Sequence, residues 1–272
     1  MTIASVAAYY DDVTDLISAD LGGGLHFGYW EGLPEGSTMA DASRHMTELM
    51  IDKLRARPGH RILDVGCGVG GPAVDLARNT GADVVGVNIS ERQLAAAERL
   101  AAESGLAERV HFQYGDAMAL SFGPDSFDGA WLFEALFHMS DQEKVLQEIA
   151  RVLRPGGRLA IANLVQRTAL SDAQNTALAE YWKVGHVAAL LPLDDYPALL
   201  SRCGLALEEL TDISEHSTRQ TFQAIRDTHA QRALVKAGPV GPAEVADRMD
   251  AGMNLFAETP EIGFAIVVAV KE

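Results

Sequence analysis

The 272 residues are 48% hydrophobic and 22% charged, ordinary proportions for a globular chain long enough to bury a substantial core in one α/β domain or a domain with a lid. A formal net charge of −16 disfavours nucleic acid and anionic membrane surfaces as partners, since both are bound through clustered Lys and Arg. Two distant cysteines, Cys67 and Cys203, make neither a disulfide framework nor a zinc pattern, so a reducing cytoplasm is the expected compartment. Asp11, Asp12 and Asp15 interrupt any signal-peptide pattern, and no stretch has the length of a membrane span.

Residues 3–20 carry an apolar stripe (Ile3, Val6, Ala7, Tyr10, Val13, Leu16, Ile17) at helical spacing, and Gly22–Gly24 end it. A second helix is expected from Thr38 to Leu54, stopped by Pro58–Gly59. Strand and helix then alternate. Strands are expected at 61–65, 83–87, 110–114, 129–133 and 158–164, with helices at 71–78, 91–103 and 142–153; Ser90 caps the second of these helices and Gly105 stops it. Residues 168–191 read as helical with no strand following, which predicts an inserted lid. A helix–strand pair at 196–203 and 205–213, a mostly helical stretch at 217–257 and a strand at 262–270 complete the chain. The expected fold is α/β: a doubly wound, mostly parallel seven-stranded sheet with a helical lid and ligands at the carboxyl ends of the strands. Its expected divisions are N-terminal helices (1–57), a Rossmann-like core (58–164), a lid insertion (165–193), a core helix and strand (194–214), a second lid segment (215–257) and a terminal core strand (258–272).

The central motif is Ile62-Leu63-Asp64-Val65-Gly66-Cys67-Gly68-Val69-Gly70, flanked by a strand and a helix. Glycines let the backbone approach a ligand where a Cβ would collide. An acid two positions before the first glycine suits an ammonium group rather than a pyrophosphate. Cys67 reads as a small filler behind the turn, with a reactive thiol as the alternative.

At these residues the chain resembles the class I S-adenosylmethionine (SAM)-dependent methyltransferases over most of residues 9–164. It is similar in particular to natural-product small-molecule methyltransferases of the rebeccamycin sugar O-methyltransferase type. The blocks that carry the resemblance are Leu25–Trp30, Val85–Ser90 with Gln93, Tyr114–Met118, Phe127-Asp128 and Leu153–Gly157. It implies SAM as cofactor, bound at Asp64, Gly66 and Gly68 with its methionine end at Asp64 and Gly66, and with Tyr9, Tyr29 and Trp30 closing over that end. Asn88 and Gln93 are implied at the ribose, Asp116, Ala117 and Met118 at the adenine, and Leu132 and Phe133 at the end of the fourth strand. Asp116 can equally be a turn residue.

Methyl transfer to an alcohol needs alignment and a proton acceptor. His138, in the loop after the fourth strand, is the candidate general base, with local packing as its alternative; His26 borders the same region. The chain departs from the rebeccamycin type by carrying Phe137 where a second histidine is expected and Asn163 where an aspartate is expected. Two readings follow: a methyltransferase acting on an oxygen of a bulky natural product, with nitrogen or carbon as the alternative acceptor atoms, and a SAM-bound cyclase that shapes a polyene without methyl transfer. A small molecule is the expected partner in either, and a homodimer is left open.

Overall fold

The computed structural model describes residues 3–20, 25–234, 255–256 and 258–272. Helix α1 spans Ile3–Asp20 and α2 spans Met39–Leu54. The start of α2 is fixed by a capping box in which the Thr38 hydroxyl accepts from the Asp41 amide and the Asp41 carboxylate accepts from the Thr38 amide. Its buried stripe of Met39, Met46, Met50 and Leu54 lies against one face of the sheet.

The alternating units are β1 (Arg61–Val65), α3 (Gly71–Thr80), β2 (Asp83–Asn88), α4 (Glu91–Glu103), β3 (Val110–Tyr114), β4 (Phe127–Phe133), α5 (Gln142–Val152) and β5 (Leu153–Gln166). Helix α6 (Asp172–Val184) follows, then α7 (Tyr196–Arg202), β6 (Leu205–Asp212), α8 (Thr218–Leu234) and β7 (Ile262–Lys271). The seven strands order as β3-β2-β1-β4-β5-β7-β6, with β7 antiparallel to both neighbours and the pairs among β1–β5 parallel. This is the doubly wound, mostly parallel sheet expected from the alternation. The strand order reverses between β1 and β4, so their carboxyl ends open a crevice.

Period-two alternation sends β4 residues to two cores. Trp131 and Phe133 join the layer containing Met46, Met50 and Phe264, while Ala130 and Leu132 join the layer containing Val145 and Ile149 of α5. Leu63, Val65, Leu132 and Ile161 are wholly removed from water, each worth about 1.5–3 kcal/mol.

Boundaries move in three places. Strand β4 starts at Phe127 rather than 129, because Phe127 pairs with Leu153 before an irregularity at Gly129. The chain leaves α5 at Val152 directly into β5, so the Arg154–Gly157 turn is absorbed into the strand. The helix expected over 168–191 is shorter: it ends at Val184, where Gly185 caps it and His186 turns to φ 50°. The second expected lid segment is helical through Leu234, and residues 235–254 and 257 of it lie outside the described residues. No described helix is long and apolar enough to cross a membrane.

Candidate cofactor and active site

A cavity opens at the carboxyl ends of β1, β2 and β4, enclosing about 1230 Å³ of empty space with its mouth included. Of the residues singled out in the sequence, Asp64, Gly66, Gly68, Asn88 and Gln93 line it, as do Asp116, Ala117, Met118, Phe133 and His138. Chain topology alone brings these together, since they come from four separate strand-end loops.

The glycine turn is a close-contact cradle. Gly66 and Gly68 adopt φ 79° and 53°, and the Gly66 and Cys67 amides both donate to the Val87 carbonyl, at 2.9 and 3.1 Å. A Cβ on Gly66 would lie 2.5 Å from the Ala135 Cβ, and one on Gly68 would lie 3.1 Å from Leu25. Only glycine fits there. Asp64 sits behind this turn, 2% exposed, and no cation pairs with it among the described residues. Burial pushes its carboxyl up to about 7. A buried acid facing a cavity without a counter-ion suits a ligand that brings a positive charge. Cys67 is buried, and burial raises its thiol well above the usual range, so it fills space and is no reactive thiolate.

On the β2 side, Asn88 donates to the Gln93 carbonyl oxygen at 2.7 Å and accepts from the Ile89 amide at 2.7 Å. The Gln93 amide donates to the Thr14 hydroxyl at 2.8 Å, and Thr14 donates to the Tyr10 carbonyl. Ser90, whose hydroxyl accepts from the Gln93 amide N–H, also donates to Asp11 at 2.6 Å. Helix α1 is thereby strapped across the cavity by its Asp11 and Thr14. Asp116 accepts from the Met118 amide at 2.9 Å, so it serves the turn as well as the wall.

The turn after β4 holds the remaining chemistry. His138 Nδ1 lies 2.9 Å from the His186 carbonyl; a carbonyl only accepts, so Nδ1 carries the proton and Nε2 is the lone-pair nitrogen. That nitrogen accepts from the Tyr10 hydroxyl at 2.5 Å. Burial pushes His138 down to about 4, which keeps it neutral. Glu134 takes a left-handed backbone, φ 51°, costing about 1–2 kcal/mol. Its amide donates to Ala162 at 2.8 Å and its carboxyl accepts from the Phe27 amide at 2.5 Å. His26 lines the cavity too, stacked on Phe133 with ring centroids 4.1 Å apart; its Nδ1 donates to the Phe27 carbonyl at 3.0 Å.

Five residues singled out in the sequence lie elsewhere. Tyr9 packs on Tyr10 and His186, one helical step from the cavity-facing Val6 and Tyr10. Tyr29 donates to Glu31 near the surface, and the Trp30 indole donates to Thr221 at 3.3 Å. Their backbone explains this: the Tyr29 and Trp30 amides bond to Ala42 and His216 at 2.9 and 2.8 Å, tying this strand of chain between α2 and the α8 entry. Leu132 faces the α5 core. Asn163 is fully buried within β5, opposite Ala265, and donates to Leu164; it does not face the cavity. Conversely Val6, Tyr10, Leu25 and Glu134 line the cavity without having been singled out for it. The stripe Val6–Tyr10–Thr14 at i, i+4 spacing was the available signal for α1.

The cradle, the uncompensated buried acid and the polar β2 end fit SAM, whose methionine carries an ammonium group and whose nucleoside carries hydroxyls. Comparison with known proteins agrees. A family profile described as "Methyltransferase domain" matches residues 63–161. The chain is 40% identical to methyltransferase GfsG of Streptomyces halstedii over 98% of this chain and 94% of that protein. It is 35% identical to the 27-O-demethylrifamycin SV methyltransferase of Amycolatopsis mediterranei, over 96% and 95% of the two chains. Among solved structures, that of the [4+2]-cyclase SpnF superposes with a TM-score of 0.82 at 29% identity, covering 100% of this chain and 97% of the other. The cavity's construction and these relatives together identify the chain as a class I SAM-dependent methyltransferase.

Proposed function

We propose that the enzyme methylates a hydroxyl oxygen of a bulky small-molecule natural product. SAM supplies an electrophilic methyl group on a sulfonium. In this reading Asp64, Gly66 and Gly68 hold the methionine end, Asn88 and Gln93 the ribose, and Asp116, Ala117 and Met118 the adenine. The observation that carries the reading is the Tyr10–His138 pair on the cavity wall. Nε2 of His138 holds a lone pair aimed at a hydroxyl, and Nδ1 is anchored by the lid carbonyl of His186, so the ring is oriented without a carboxylate. An acceptor hydroxyl beside Tyr10 passes its proton to the Tyr10 oxygen as the Tyr10 proton moves to His138. The acceptor oxygen is left nucleophilic and the histidine is left as imidazolium. Tyr181 and Trp182 of α6 pack on Phe256, within the core layer beside the sheet. A relative named as an O-methyltransferase and one named as a 27-O-demethylrifamycin SV methyltransferase support this class of acceptor.

A second reading is favoured by the likeness to a [4+2]-cyclase and by Phe137 standing where the rebeccamycin type carries a second histidine; Asn163, buried in β5 away from the cavity, does not bear on it. In it, SAM is held but its methyl is not used, and the chamber folds a polyene into a reactive shape. The test is incubation with trideuteromethyl SAM and a panel of hydroxylated macrocycles and linear polyenes. Labelled product with equimolar S-adenosylhomocysteine supports transfer. An isomer of unchanged mass with no homocysteine derivative supports the cyclase. For transfer, His138→Ala is expected to lower the rate by about two to four orders of magnitude. Tyr10→Phe should cost at least tenfold if the hydroxyl relays the proton, and leave the rate intact if it merely caps the ring.

A further inference from the structure

Asp64, at the end of β1, and Glu134, just beyond the adjacent β4, both line the cavity; Asp64 is buried and Glu134 half-buried. The tasks assigned above use only the first. Glu134 is held in place by an unusual amount of local structure. Its backbone is left-handed, its amide is tied to β5 through Ala162, and one carboxyl oxygen is clamped by the Phe27 amide. That donor is itself fixed by His26, which bonds the Phe27 carbonyl. The second carboxyl oxygen receives no hydrogen bond among the described residues. Ala135, the next residue, packs directly over Gly66, so the carboxyl stands beside the glycine turn and not in the outer chamber.

No wall of the cavity supplies a compensating positive charge. The titratable groups facing Glu134 are the Tyr10 hydroxyl from α1 and the Tyr181 hydroxyl from α6, both kept neutral by burial. His26 and His138, which also line the cavity, are held neutral, and Asp64 is a second acid. Left alone, the Glu134 carboxyl is pushed up to about 8 by burial. A chain that spends backbone strain to place an acid there, with no cationic partner among the described residues, is arranged for a ligand that brings one.

We propose that Glu134 is the counter-charge for the sulfonium of bound SAM, so that two carboxylates are matched to the cofactor's two cationic groups and the cavity distinguishes SAM from its demethylated product. The proposal rests on the cofactor assignment made above and extends it from the ammonium to the sulfonium. Transfer forms a C–O bond to the acceptor and breaks the S–CH3 bond, its electron pair staying on sulfur. The cation becomes a neutral thioether and one proton is released from the acceptor hydroxyl. Glu134 then faces no positive charge, regains its affinity for a proton, and no longer contributes to holding the spent cofactor.

The test uses the full chain, SAM and S-adenosylhomocysteine, and titration calorimetry at pH 7 in two buffers of different ionisation enthalpy. In the wild type, SAM should displace about one proton more than S-adenosylhomocysteine, because only SAM ionises Glu134. In Glu134→Gln that difference disappears. SAM affinity should also fall about tenfold while S-adenosylhomocysteine affinity stays within about twofold. Equal proton release by the two ligands in the wild type overturns the proposal without recourse to any variant. So does a variant that loses affinity equally for both, which would make Glu134 a structural residue, or one that loses it for neither. A wild-type chain that binds neither ligand removes the cofactor assignment, and the proposal with it.

Discussion

Replacing Gly66 by alanine probes the cradle most sharply, because its cost separates into two parts that a second variant can isolate. The first part is backbone strain: φ 79° at Gly66 is a left-handed conformation that costs an L-residue about 1–2 kcal/mol. The second is overlap, since the new methyl would lie 2.5 Å from the Ala135 Cβ. Relieving it requires the 134–138 turn to move, at about 1–3 kcal/mol for an overpacked site. Gly36 is the control: its φ is 84°, and an added Cβ meets nothing within 4 Å. Urea unfolding should therefore show a loss of about 1–2 kcal/mol for Gly36→Ala and about 2–5 kcal/mol for Gly66→Ala. SAM affinity, followed by calorimetry on the folded variants, should be unchanged in the first and fall at least about tenfold in the second. Equal destabilisation of the two variants, or full SAM affinity in Gly66→Ala, would refute the close approach of the two turns.

The ligand-free protein should lose stability as pH rises from 6.5 to 8. Asp64 and Glu134, raised to about 7 and about 8, bind protons in the folded state that the unfolded chain has already released, so each opposes folding as it ionises. His26 and His138, lowered to about 4, give the opposite slope, but only below the unfolded histidine range. Above pH 6.5 the acids act alone, and unfolding free energy should drop by about 1–2 kcal/mol; a flat or rising profile would contradict their burial. Thr14→Val removes the hydroxyl that receives the Gln93 amide while keeping the side chain's shape. It should weaken SAM binding about fivefold, one hydrogen bond's net worth, and speed proteolysis within α1. Unchanged affinity and cleavage would mean that the strap contributes nothing to closure.

Strand–helix alternation and the glycine motif made the sheet and its crevice legible before any coordinates, because period-two and period-3.6 patterns are local properties of sequence. The polar wall was legible for a related reason. Asp64, Asn88 and Asp116 each follow or end an apolar strand, where topology puts ligand groups. Side-chain direction on helices and connecting segments was harder. Tyr9 and Tyr10 differ by one helical step of roughly 100°, and it is Tyr10, in phase with Val6, that reaches His138. Tyr29 and Trp30 are turned away by backbone bonds to Ala42 and His216, partners 13 and 186 residues distant in the chain that no local pattern announces. Glu134 was hidden for a third reason: a glutamate after a strand reads as a solvated loop residue, and only the fold encloses it between Phe27, Tyr10 and Tyr181. His138 stands between these cases. Its position was readable, but its tautomer and its tyrosine partner depend on α1 and the lid.

The central claim is that this cavity binds SAM through the buried Asp64 carboxylate at the end of β1. It is tested most directly by titrating the wild type and Asp64→Asn with SAM at pH 8, after circular dichroism has shown both to be folded. The account predicts one SAM per wild-type chain, and an affinity lower by about ten- to a hundredfold in the variant, the worth of a buried charge-assisted contact. An Asp64→Asn protein that binds SAM as tightly as the wild type would contradict it.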